Sequence, residues 1–229
     1  IDPDGLSALH PLWGSDLNRF GPWTESPAET GGRVTTGPVW HSKTDAAQAR
    51  ILICGRSTST MDVLPALIDT MKLSAWDSVL AVAQDRGRGQ KQRKWLSPPG
   101  NIYAAWYWPD PASSEGAQPG WSSMASLLAG DVVATVLESY RIPVAVKWPN
   151  DLLVNDRKLC GILVEQRAGR LLVGVGLNVA AGPGEADLTD AFAIPATSLS
   201  ILGVDATPLT LWRRIVESGR ERIQKLIAH

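Results

Sequence analysis

Two apolar runs that meet at Asn155-Asp156-Arg157 limit the possible fold more than any other stretch of this chain. Asp151-Leu152-Leu153-Val154 precedes the turn and Leu159-Cys160-Gly161-Ile162-Leu163-Val164 follows it. An Asn/Asp pair between such runs is the local signature of a tight antiparallel hairpin. Lys147, Asn150, Asp151 and Lys158 stand at the strand ends. Buried or half-buried charges are costly unless paired, so two cations, an acid and an amide on an apolar hairpin point to a bound anion. A surface hairpin with solvated charges is the plainer alternative.

A second concentration of cations lies upstream. Ser78-Val79-Leu80-Ala81-Val82-Ala83 reads as a strand leading to residues 84–95, where Arg86, Arg88, Lys91, Arg93 and Lys94 are interleaved with Gly87 and Gly89. These like charges repel one another in an empty loop. Glycines allow close backbone approach, while amides and guanidinium forks supply donors. The composition therefore suits a loop that orders over a carboxylate and a phosphate; a nonspecific polyanion patch is the alternative. Before it, Arg50-Ile51-Leu52-Ile53-Cys54 reads as a buried strand. Ser57-Thr58-Ser59-Thr60 then opens a helix through Met61, Leu64, Leu67, Ile68 and Met71, with hydroxyls to cap it and Asp62 near its positive end.

The remaining chain supplies a scaffold. A polar loop at 109–120 precedes a long apolar-periodic helix through Met124, Leu127, Val132, Val136 and Leu137, and Arg170 to Val179 forms a further strand. Residues 180–195 read as a loop, Pro195-Ala196-Thr197-Ser198-Leu199 as the cap of a short helix, and Thr207-Pro208 as the cap of a last helix running to His229. Residues 1–48, rich in Gly, Pro, Ser and Thr, read as an irregular arm. Mixed helices and hairpins predict an α+β fold with a mixed central β-sheet and flanking helices. At 229 residues, 44% apolar and 20% charged, the chain has a globular composition. A net charge of −1 gives no reason for DNA as a partner. No apolar run approaches bilayer length and no signal peptide is legible at Ile1-Asp2-Pro3-Asp4, so no membrane partner and a cytoplasmic location are expected. Cys54 and Cys160 have no metal or redox spacing and read as reduced core thiols.

Lys147-Trp148-Pro149-Asn150-Asp151, followed by residues 157–165, resembles the signature of biotin protein ligases. Gly87, Arg88, Gly89, Arg93 and Trp95 match that family's adenylate loop, whereas Gln90 and Gln92 replace its second arginine and last glycine. Ser97-Pro98-Pro99-Gly100-Asn101 and Gly174-Val175-Gly176-Leu177-Asn178 also resemble family motifs. The resemblance implies the biotin/lipoate ligase catalytic fold, shared with class II synthetases, over residues 49–229. A winged-helix DNA-binding domain at 1–48 and an SH3-like barrel after the last helix are not expected.

The implied reaction joins biotin and ATP, with Mg²⁺, into biotinyl-5′-adenylate and passes the acyl group to a lysine of a biotin carboxyl carrier domain. Implied catalytic residues are Lys158, Lys147, Asp151 and Arg93. Ser59, Thr60, Gln84, Gly87, Arg88, Gly161 and Leu163 would hold biotin. Arg88, Arg93, Trp95, Asn150, Lys158 and Asn178 would hold the nucleotide, and Ser57-Thr58 offers a rival register for the Ser-Thr step. A lipoate or octanoate ligase or transferase of the same fold and a non-catalytic binding relative stay open, as do the oligomeric state and the identity of the carrier.

Overall fold

The computed structural model describes residues 2–27, 30–31, 34–35, 39–42, 49–110, 121–184 and 194–227. Most of the loop expected at 109–120 and the middle of that at 180–195 lie outside these residues, as does His229.

The N-terminal segment corrects the expectation of an irregular arm. Its elements are α1 (Pro3–Ser7), α2 (Pro11–Phe20), β1 (Trp23–Ser26), β2 (Thr30–Gly31), β3 (Val34–Thr35) and β4 (Val39–Ser42), with β1 pairing β4 and β2 pairing β3. Both helices are short for a periodic signal. Each begins with proline at its first position and a side-chain cap, Asp2 accepting from the Gly5 amide and His10 Nδ1 from that of Leu12. Asp16 holds α2 to the core. This fully buried carboxylate accepts the Leu209 amide at 2.7 Å, the Thr210 amide at 3.1 Å and the hydroxyls of Thr207 and Thr210. It caps the last helix, α5 (Pro208–Ile227), so the Thr207 hydroxyl is a donor to that cap rather than the cap itself.

In chain order the main elements are β5 (Ile51–Ser57), α3 (Thr60–Thr70), β6 (Ser78–Gln84), β7 (Ile102–Trp108), α4 (Trp121–Glu138), β8 (Ala145–Lys147), β9 (Asp151–Val154), β10 (Arg157–Arg167) and β11 (Arg170–Leu177). Among the described residues, strands β5 to β11 form one sheet in the order β5-β6-β7-β11-β10-β9-β8. Only β5 and β6 pair in parallel. The β9–β10 hairpin turns through Asn155 and Asp156, both at positive φ (49° and 57°), which is the backbone a type I′ turn demands and which Asn and Asp tolerate.

Alternation along the strands divides the sheet into two faces. On one, Val79, Ala105 and Leu172 pack under Met61, Leu64 and Ile68 of α3. On the other, Leu80, Ala104, Trp106, Val173 and Val175 meet Val132 and Val133 of α4 and Trp212 and Ile215 of α5. Trp106 is the hub there, edge-on to Trp76, Trp108 and Trp212 at centroid distances of 5.6, 5.2 and 5.4 Å. The short helix expected after Pro195 is a single turn instead. The Ser198 hydroxyl accepts the Ile201 amide, and Gly203 at φ +72° ends the turn before a second can form. Among the described residues no helix is long and apolar enough to cross a membrane.

Candidate active site

Among the described residues a cavity open to solvent is built where the α3 face of the sheet loses its side chains. Gly161 on β10 stands directly opposite Gly176 on β11, which pairs with Tyr103 on β7. Gly174 lies two residues along. Bare backbone at these positions leaves a trough between α3 and the hairpin. Tyr103 closes its floor, its hydroxyl donating to the Pro98 carbonyl and accepting from Asn101, and burial pushes the phenol's pKa up.

Strict alternation would point Lys158 away from this trough, since it is three residues from Gly161 on the same strand. A β-bulge reverses it. Lys158 pairs with Leu153 and Cys160 with Leu152, so Leu159 is the extra residue and Lys158 turns onto the cavity face. The ladder bonds lost at the bulge are replaced from elsewhere in the chain. Lys158 N–H donates to the Pro195 carbonyl (2.7 Å), the Thr197 amide donates to the Lys158 carbonyl (3.0 Å), and the Asn178 amide donates to the Leu159 carbonyl (3.0 Å). The Asn178 side chain donates to the carbonyls of Thr197 and Lys158. Lys158 Nζ lies 2.7 Å from Asp151 Oδ1, an ion-pair contact that is not an aligned hydrogen bond, and 5.2 Å from the centroid of Trp95.

The cationic loop brings Trp95 to the trough. Gly87 is required where the loop ends cross: a Cβ there would lie 2.4 Å from the Trp95 carbonyl, which leaves no room for a larger residue. The Trp95 amide donates to the Gly87 carbonyl and the Gly89 amide to that of Arg93, closing the loop around the short turn Gln90–Gln92. The indole then lies against the bare strands. A Cβ on Gly161 would come 2.7 Å from Trp95 Cζ3, and one on Gly176 2.5 Å from Cε2. At the other end Ser59 and Thr60, both buried, face the cavity, whereas Ser57 belongs to β5. The first helical turn is capped not by Ser59, which makes no capping bond, but by Gln84. Its Oε1 accepts the Thr60 amide and hydroxyl, and its Nε2 donates to the Ser97 hydroxyl.

Of the residues singled out in the sequence, Ser59, Thr60, Gln84, Arg88, Trp95, Asn150, Lys158, Gly161 and Leu163 line the cavity. Asp151 stands behind Lys158, and Lys147 is exposed on edge strand β8 opposite Asp151. Gly87, Arg93 and Asn178 do not line it; Asn178 is buried and spends its amide on the backbone around Lys158. Sequence reasoning missed Met61 and Tyr103 as cavity walls. Cys160, fully buried beside Lys158 and Asp151, has its thiol pushed up to about 12 by burial, so it offers no nucleophile.

The model of a family described as the biotin/lipoate A/B protein ligase family matches residues 52–180, over half of the chain. The bifunctional ligase/repressor BirA of Salmonella typhimurium is 38% identical over 151 residues, covering 61% of this chain and 43% of BirA. The chain thus spans less than half the length of that relative. Among solved structures, a biotin protein ligase from Aquifex aeolicus in complex with biotin and ATP superposes with a TM-score of 0.63 at 27% identity, over 78% of this chain and 72% of that one. One from Leishmania major in complex with biotinyl-5-AMP gives 0.58 at 27% identity, over 78% of both chains.

Proposed function

Because the chain belongs to the biotin/lipoate A/B protein ligase family, we propose that it activates biotin with ATP as biotinyl-5′-adenylate and transfers the biotinyl group to a lysine of a biotin carrier domain. The observation that carries this reading is Lys158. A bulge turns its ammonium into a glycine-floored trough, Asp151 holds it, and the Trp95 ring of the cationic loop faces that ammonium. A bicyclic ring with one apolar side and a polar ureido head suits the trough between Met61 and Leu163, with that head toward Ser59 and Thr60.

In the first step a biotin carboxylate oxygen attacks the α-phosphorus as the bond to pyrophosphate breaks. Two anions must meet, and Lys158 would bridge them, with the loop cations, Arg93 among them, and Lys147 on phosphate oxygens. Mg²⁺ would enter this scheme with ATP and would supply positive charge to offset that of the phosphates. In the second step the acceptor amine attacks the acyl carbon and AMP leaves. Asp151 orients Lys158 and would be the carboxylate that takes the amine's proton. Asn178 acts through the Lys158 backbone.

The test is incorporation of labelled biotin into a carrier domain in the presence of ATP and Mg²⁺, with lipoate as competitor. Biotin on the acceptor lysine alone supports the reading. Lipoate transfer at a comparable rate overturns it in favour of the lipoate branch of the family.

A further inference from the structure

Arg88 reaches from the cationic loop to a group of charges outside the cavity. Its Nη2 lies 2.9 Å from Asp62 Oδ1 and 3.6 Å from Glu165 Oε1. Arg167 meets the same two acids, with Nη1 3.2 Å from Asp62 Oδ1 and Nη2 2.6 Å from Glu165 Oε2. The signs alternate around a closed ring, and each charge has two opposite neighbours. Three elements contribute: the first turn of α3, the loop, and the far end of β10, where Glu165 continues the Gly161-Leu163 face by alternation. Of the four, only Arg88 lines the cavity.

We propose that Asp62, Glu165 and Arg167 form a latch that holds the 87–95 loop closed over the cavity through Arg88, making them positioning residues for retention of the activated intermediate. Two observations point the same way. Arg88 belongs to a loop that also carries Arg86, Lys91, Arg93 and Lys94, so without acids beside it the closed loop would be opposed by its own charge. In addition, Arg88 Nε is buried and has no partner, a costly state for a donor and one that an anionic oxygen at the cavity rim would relieve. The latch closes the empty loop, and ligand supplies the missing acceptor. The retention part of this proposal rests on the ligase reading; the closure part does not.

Limited trypsin digestion of the ligand-free protein reads closure directly, because the loop offers cleavage sites after Arg86, Arg88, Lys91, Arg93 and Lys94. Cleavage through local opening follows the open population. Asp62→Asn and Arg167→Gln should each speed loop cleavage roughly fivefold at low salt, as expected for partly exposed paired charges. The double variant should be less than additive, and the ratio to parent should fall toward one at about 1 M salt. Asp62→Glu should restore part of the protection. Arg167→Gln guards against a trivial effect on α3, since it lies on β10. In turnover, both variants should raise the KM for biotin and speed loss of adenylate while leaving kcat nearly unchanged. Cleavage rates equal to parent in both variants, or an effect independent of salt, would overturn the latch. Altered cleavage in a parent that shows no biotin activation would leave the latch standing and remove the ligase reading.

Discussion

Removing the Lys158 ammonium is the perturbation whose effects on rate and on stability the structure separates. Lys158→Ala deletes a charge 2.7 Å from Asp151, on a side chain 26% exposed, and leaves an acid only 15% exposed without its partner. If the ammonium acts on charge developing at the α-phosphate, its loss costs ~10²–10³ in the rate of adenylate formation, about 2.7–4 kcal/mol. The fold loses less, about 1–3 kcal/mol, chiefly from the acid left unpaired. These effects part in the double variant Lys158→Ala/Asp151→Asn, which should recover most of the stability and none of the rate. Lys158→Arg should rescue poorly. The lysine stem already lies against bare Gly161, where an added Cβ would be 3.2 Å from Lys158 Cε, and a planar fork cannot take the place of a compact ammonium there. Single-turnover adenylate formation and urea denaturation provide the two readouts. Adenylate formation by Lys158→Ala within a few-fold of parent would refute the assignment.

Three further outcomes follow from the same geometry. Gln90, exposed at the cavity mouth, offers only neutral hydrogen bonds, so Gln90→Arg should slow escape of the adenylate by roughly tenfold, and an unchanged off-rate in rapid filtration would mean that a neighbouring cation already fills the role. Gly219→Ala should destabilise by about 1–2 kcal/mol despite alanine's better helix propensity, because its Cβ would lie 2.2 Å from Cη2 of fully buried Trp106; a stabilised variant in urea denaturation would contradict this. The Cys54 and Cys160 thiols are pushed up to about 11 and about 12 by burial, so half-buried Cys54 should react slowly with a thiol reagent at pH 8 and fully buried Cys160 not until the protein is unfolded. Because the unfolded thiols ionise first, stability should fall as pH rises from 9 toward those values, and rapid labelling of the native protein would show the thiols to be accessible.

The hairpin was legible because turn chemistry and alternation agree at Asn155-Asp156, whereas Gly161, Gly174 and Gly176 stood out only through family motifs and their role as a bare cavity floor needs the strand register. The aim of Lys158 was not legible. Alternation along the strand assigns it to the wrong face, and the bulge that corrects it depends on residues 195–197 and on Asn178, distant partners with no local mark. The helices at Pro3–Ser7 and Pro11–Phe20 escaped for a related reason: each is too short to show a period, and α2 is held by Asp16 on the last helix. The capping hydroxyls were placed correctly in the chain but not in their role, because Gln84 and Asp16 reach across the fold to do the capping. The latch around Arg88 lay across three elements, and only the tertiary structure brings Asp62, Glu165 and Arg167 together.

Release of pyrophosphate by the purified chain reports whether this cavity joins biotin to ATP. With Mg²⁺ present, release should require both biotin and ATP, should not occur with lipoate in place of biotin, and should need no carrier domain for the first turnover. Release at background level with both substrates present, or equal release with lipoate, would contradict the account.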